Sequence, residues 1–338
     1  MSWVSIACVF IASLVLVGML RQWADGLGLT VSPGAHRAHL SPTPVVGGIG
    51  MMLALVLYAV VAKDEALFGY APALLLFVLG LWDDRYQLPS SVRLAVQCVT
   101  VFWLMQTTGI QLLSLGDLLG SGAIQLGSWV VVMTLFACIG VINALNMSDG
   151  MDGLAGTLAV LVCVSLLYVG APFASILILV IASTAGFLVW NLRIGRPAAS
   201  AFMGDAGSTT LGLLLAFFLI NASQGSNAVI DPVTALWLMA LPLMDAVGLL
   251  LVRPLRGRSP FAADHLHYHH ALREFGLSVN QTLLVILCVQ GGFIVLGLRL
   301  MQYGVPEATQ FAAFLVLFLA YVGWLWRRSR NKALLNFE

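Results

Sequence analysis

Charge is what this chain has least of. Lys, Arg, Asp and Glu make up 9% of its 338 residues, and 60% are hydrophobic, whereas roughly a quarter of a soluble domain is charged. A soluble globular protein is excluded, and a polytopic membrane protein is implied. Lysine is nearly absent: Lys63 and Lys332 lie far from every motif below, so cationic work falls to Arg and His. Cys8, Cys98, Cys138, Cys163 and Cys288 sit in apolar runs at no metal-like spacing, which supports neither a disulfide framework nor a zinc site. A net charge of +1 gives no basis for nucleic-acid binding. Internal repeats and low-complexity segments are missing too. The first apolar run has no basic residue before it, so it is expected to stay as an anchor and not to be cleaved as a signal peptide.

Apolar runs of spanning length recur along the whole chain. The expected fold is all-α and polytopic, with about eleven transmembrane helices near 2–21, 45–62, 67–82, 92–108, 128–147, 154–169, 173–191, 207–224, 233–252, 279–300 and 308–326. With the N-terminus outside, fourteen of the sixteen Lys and Arg residues fall on the cytoplasmic side, as does the Arg327-Arg328-Ser-Arg330 tail. That is the asymmetry the positive-inside rule requires. The longest polar connections are 22–44, 109–127, 192–206 and 253–278, too short for a separate soluble domain. Residues 1–338 therefore read as a single transmembrane domain whose working loops, 22–44, 83–91, 148–153, 192–206 and 253–278, are cytoplasmic.

Those loops and helix ends collect all six His residues and seven of the Asp residues, while Asp64, Glu65, Asp117, Asp231 and Glu307 are scattered on the other side. Asp83 and Asp84 close the third span. Adjacent carboxylates on a helix diverge by about 100°, so one can meet a cation while the other holds a neighbouring Arg or His; a solvated helix end is the plainer reading. Asn143 and Asn146 stand one helical turn apart, and Asp149 or Gly150 continues their face before the glycines break the helix. Amides in an apolar run need partners, which makes this stripe the wall of a polar cavity or a helix–helix hydrogen-bond seam.

In Phe202-Met-Gly204-Asp205-Ala-Gly207-Ser208, glycine permits close approach, and helix-start N–H groups with Ser208 can meet an anion. Asp205 beside an anion is repulsive unless a cation intervenes, which suggests Mg²⁺ held between Asp205 and a phosphate; an N-terminal cap explains Asp205 alone equally well. His265-Leu-His267-Tyr-His269-His270 lacks the Cys or Glu of a zinc spacing. With Arg253, Arg256, Arg258 and Arg273 it suits the gripping of phosphates. Asp245 lies mid-span, as a functional intramembrane acid or as a packing partner near Pro242.

Clustered Asp, an implied Mg²⁺, a His/Arg loop and an apolar body suggest a reaction between a phosphorylated cytoplasmic donor and a lipid acceptor. No Walker A sequence or kinase-like glycine loop is present, so ATP is not the expected donor.

From about residue 36 to 282 the chain resembles the polyprenyl-phosphate N-acetylhexosamine-1-phosphate transferases. The resemblance rests on Thr43-Pro-Val-Val-Gly47-Gly48, Asp83 to Pro89, Asn143 to Gly156, Phe202 to Gly212, Asp231 to Trp237 and Ser259 to Arg273. It is strongest to the WecA/TagO-like branch. Members like the peptidoglycan enzyme MraY carry Lys in the first loop and after the Asp pair, where this chain has Arg37 with His36 or His39, and Arg85; their triple-His run is also replaced.

What the resemblance implies is transfer of GlcNAc-1-phosphate from UDP-GlcNAc to undecaprenyl phosphate at the cytoplasmic face of a bacterial inner membrane. UMP would be released and an envelope polysaccharide begun. Asp205 and Asn146 then look like ligands of Mg²⁺, with Mn²⁺ as an alternative, and Phe202 and Asp152 like uridine contacts. Asp83 and Asp84 look like acceptor-side acids that act with Asp205 in catalysis. Arg37, Asn143, Asp149, Ser208, His265, His267, His269, His270 and Arg273 complete the expected substrate-binding set. Membrane lipid and a second copy of the chain, as a homodimer, are the other partners considered. Another UDP-N-acetylhexosamine donor and a membrane transporter are the alternative readings. Because a phosphate monoester has a second pKa of about 6, much of the acceptor is already dianionic at neutral pH. At least one of Asp83 and Asp84 is therefore expected to position and not to remove a proton.

Overall fold

Every apolar segment expected from the sequence is helical, and the departures lie at the ends and in one break. A computed structural model of the chain describes residues 2–31, 42–226, 228–260 and 265–335, with side chains as far as Arg330. Arg37, with His36 and His39, lies outside the described residues.

The helices are α1 (Trp3–Leu27), α2 (Gly47–Ala62), α3 (Glu65–Phe68), α4 (Ala73–Tyr86), α5 (Ser90–Thr108), α6 (Val130–Ser148), α7 (Leu154–Tyr168), α8 (Ala174–Asn191), α9 (Gly204–Ser223), α10 (Pro232–Leu238), α11 (Ala240–Val252), α12 (Tyr268–Glu274), α13 (Val279–Gln302) and α14 (Glu307–Leu335). Among the described residues, six helices are long and apolar enough to cross a membrane, or seven if the bent pair α10–α11 counts as one span. Of the others, α5 has the length, 19 residues, but is less apolar, whereas α2, α4 and α7 are short: the 14 residues of α4 reach about 21 Å, against a hydrocarbon core of about 30 Å.

α9 is the centre. It is buried along nearly its whole length, with α2, α4, α6 and α7 packed around it, which is why it is apolar on every side. Two glycines let neighbouring backbones touch it. A Cβ on Gly48 would sit 2.3 Å from the Gly207 nitrogen, and one on Gly80 would sit 2.4 Å from the Ala206 Cα. α4 starts six residues later than expected, after Pro72, which suits a helix start. Its last turn therefore carries Asp83 and Asp84 against the start of α9.

The expected span 233–252 is not one helix. It breaks at Met239, and its two parts meet at 86°. Gln290 of α13, fully buried, satisfies the break: its Oε1 accepts the Leu241 N–H at 2.9 Å, and its Nε2 donates to the Leu238 carbonyl at 2.9 Å. Unpaired backbone groups are costly in lipid, so a break needs such a partner.

A small sheet is the addition to the all-α expectation. β1 (Thr30–Val31) pairs antiparallel with β2 (Thr43–Pro44), and Val45 forms a parallel bridge to Phe202. Strands of two residues leave no periodicity in a sequence.

Candidate active site

Four carboxylates meet where α4 and α6 end and α9 begins. Gly204 takes a positive φ of 78° at the turn into α9. The Asp84 carboxylate accepts the N–H of Asp205 at 2.7 Å and of Ala206 at 3.1 Å. The helix-start N–H groups that the sequence offered to a ligand anion are taken instead by a carboxylate of the protein itself, and the Ser208 hydroxyl donates to the Gly204 carbonyl. Asp83, almost fully buried, accepts the Leu88 N–H at 2.6 Å, pairs with Arg93 at 3.2 Å and faces the Asp205 carboxyl.

From α6, Asn146 donates through Nδ2 to Asp205 Oδ1 at 2.6 Å and to the Ser208 hydroxyl at 2.9 Å. The buried Ser208 hydroxyl in turn donates to the Gly204 carbonyl. Asn143, one turn back, goes elsewhere: its Nδ2 donates to Gln97 of α5 at 3.2 Å and to the Ile139 carbonyl. The two amides thus divide between the alternatives the sequence left open, Asn146 in the polar cluster and Asn143 in a helix–helix seam.

Asp149 caps α6 close to Asp205 and Asp84. Burial first, then those two carboxylates, raise its pKa well above the ordinary carboxylate range, with the Gly204 N–H opposing. Asp152 is an anchor: its Oδ2 takes Arg193 Nε at 2.6 Å and the Ala199 N–H at 3.0 Å, tying the 192–203 segment to the α6–α7 turn. Phe202, held by hydrogen bonds between its backbone and Pro44 and Gly47, is partly exposed beside that segment.

The His loop touches the same turn. His269 is buried, neither ring nitrogen has a hydrogen-bond partner, and a Cβ on Gly150 would sit 2.9 Å from its Nε2. Burial, then the neighbouring His270 and His267, lower its pKa well below the ordinary histidine value. His267 stacks on it with ring centroids 5.3 Å apart, and His265 lies against His270 at 4.8 Å. Arg273 is exposed and donates to the Leu277 carbonyl, at the far end of α12.

Several partners were not singled out in the sequence: Arg93 for Asp83, Arg193 for Asp152, Gln97 for Asn143, and Arg328 for the His loop. In a chain with sixteen basic residues, each Arg near an acidic motif is a signal, but pairing across helices cannot be read from spacing.

Among the described residues, no three His, Cys, Asp or Glu side chains converge to hold a metal ion. A two-residue oxygen set still fits Mg²⁺, which keeps several waters and uses one or two carboxylates together with substrate phosphates. Asn146 points its nitrogen at Asp205 and Ser208, which leaves the amide oxygen as its ligand atom.

A family profile described as glycosyl transferase family 4 matches residues 66–223, the stretch from before Asp83 to beyond Asp205. The undecaprenyl-phosphate alpha-N-acetylglucosaminyl 1-phosphate transferase of Yersinia pestis is 33% identical over 340 residues, covering 95% of this chain and 92% of that protein. Its namesake from Haemophilus influenzae is 33% identical over 341 residues, 96% and 95% of the two chains. The Escherichia coli K12 protein of that name is 32% identical over 327 residues, 93% and 88%. Similarity of this extent runs through every element of the site, and the chain belongs to glycosyl transferase family 4, in the group that includes these transferases.

Proposed function

We propose that the chain transfers GlcNAc-1-phosphate from UDP-GlcNAc to undecaprenyl phosphate and releases UMP, at the cytoplasmic face of a bacterial inner membrane. The observation that carries this is the meeting of Asp83, Asp84, Asp149, Asp205 and Asn146 at one helix start, beside a His loop and at the ends of apolar helices. The names of the similar proteins support the donor and the acceptor. Eleven crossings with the N-terminus outside place the cluster and the His loop on the same side.

The lipid phosphate attacks the β-phosphorus of the donor in line, and the bond to UMP breaks. Asp205 and Asn146 would hold Mg²⁺, which when bound supplies positive charge to the diphosphate. Arg93 balances Asp83. His265, His267 and His270 face the donor phosphates and take up charge developing on UMP, while Phe202 and the Asp152 anchor shape the nucleoside side. Asp84 holds the backbone of Asp205 still, so the rate derives chiefly from positioning. The transporter reading loses its support, because Asp245, the one acid expected deep in a span, is committed to His267 and Tyr321.

A donor panel on the purified protein with a defined polyprenyl phosphate, read by product mass, tests the assignment. A polyprenyl-diphosphate-GlcNAc product is expected. A product carrying a different N-acetylhexosamine would replace the donor, and no product from any nucleotide sugar would remove the reaction.

A further inference from the structure

Asp245 sits in the buried part of α11, and the sequence left it as either a functional acid or a packing partner near a kink. The kink does not need it: the break is at Met239, and Gln290 satisfies the backbone there. Instead, Asp245 Oδ2 lies 2.7 Å from Nδ1 of His267, and its Oδ1 accepts the Tyr321 hydroxyl from α14. Both acid and imidazole are largely buried. An ionised carboxylate only accepts hydrogen bonds, so this contact puts a proton on Nδ1 and leaves Nε2 as the working atom of the ring.

The rest of the loop is fixed from the same helix. Arg328, two turns beyond Tyr321, donates to the carbonyls of His265, Leu266 and His267 and to the Glu274 carboxylate. The His267 ring, so held, stacks on His269, and His269 packs on Gly150 beside Asp149. A continuous set of contacts therefore runs from a mid-helix carboxylate to the carboxylate cluster.

We propose that Asp245 is a positioning residue for the transfer reaction, acting through His267 by fixing its tautomer and ring direction, with α14 as the clamp. The inference rests on the transferase reading above. In metal sites, removing the group that orients a ligating His typically lowers affinity or activity roughly 10- to 100-fold, and a loss of that order is the expectation for an oriented His here; residues that act as one unit are non-additive.

The test is a double-mutant cycle on the full-length purified protein: wild type, Asp245→Asn, His267→Ala and the pair, with kcat and KM for UDP-GlcNAc and a thermal melt for each. Asp245→Asn is expected to lose at least about tenfold in kcat with His267 present, and to add less than about threefold when His267 is already Ala. Tyr321→Phe, which removes the second partner of Asp245 but leaves the His267 contact in place, is expected to lose less in kcat than Asp245→Asn; a loss as large as that of Asp245→Asn would count against a role exerted through His267. Full additivity, or losses that simply follow melting temperature, would overturn the proposal. If the Asn variant does not fold, Asp245→Ser takes its place in the cycle and is read in the same way. A wild type inactive with every nucleotide sugar would overturn the transferase reading instead, so the two failures are distinct.

Discussion

The carboxylate of Asp84 accepts the backbone N–H of Asp205 at 2.7 Å and that of Ala206 at 3.1 Å. One acid of an adjacent pair thereby becomes the N-terminal cap of the helix that carries another acid of the site. Helix starts leave N–H groups unpaired and favour negative charge, and Gly80 lets α4 approach closely enough for Asp84 to reach them. Asp83, on the other side of the same helix end, is left to Arg93 and to the cluster.

Asp84→Ala should therefore cost about 1–2 kcal/mol of stability and lower activity at every pH, while Asp84→Asn, which keeps an acceptor, should lose less stability. Melting curves and pH–rate profiles check this. A rate for Asp84→Asn that returns to the wild-type level at high pH would show that Asp84 removes a proton.

Gly204 has a φ of 78°, and a Cβ there would meet Val45 at 2.4 Å and the Asp84 carboxylate at 2.7 Å. Gly204→Ala should cost more than about 1 kcal/mol and reduce activity further than stability alone explains, because Asp205 moves with the turn. Retained full activity would count against the tight coupling of Gly204, Asp84 and Asp205.

What could be read before the structure was the set of apolar segments and the residues of the cluster, because composition places every expensive polar group in view. Asp83, Asp149, Asp205 and Asn146 stood out for that reason. Less legible was who pairs with whom. Asn143 and Asn146 share a helix face in sequence, yet one turns to Gln97 and the other to Asp205. The break at Met239 was hidden as well, since the residue that makes it tolerable, Gln290, is about fifty positions away. Partners across helices follow from packing, which the periodicity of a single segment does not encode.

Gln290→Leu tests that break. It leaves the Leu241 N–H and the Leu238 carbonyl without their side-chain partner, and each buried orphan costs about 1–3 kcal/mol. A large loss of thermal stability is expected, with the remaining folded protein retaining activity. A variant as stable as wild type would mean that the bend satisfies itself.

Asp149 gives a pH-dependent prediction. Its pKa is raised in the folded protein by burial and by Asp205 and Asp84, so on raising the pH the unfolded chain releases this proton first and the folded state loses relative stability. Well below the ordinary carboxylate value of about 4, both states are protonated and the contribution vanishes. In chelator, Asp149→Asn should melt higher than wild type at neutral pH and equally at a pH well below about 4. Added Mg²⁺ should narrow the neutral-pH gap. A gap that is the same at both pH values would contradict the assigned cause.

Whether the protein performs the transfer is decided by UMP release from labelled UDP-GlcNAc. Release is expected only when undecaprenyl phosphate and a divalent cation are both present, and Asp205→Asn should abolish it. Release without the lipid phosphate, or no release with both present, would rule out the proposed transfer.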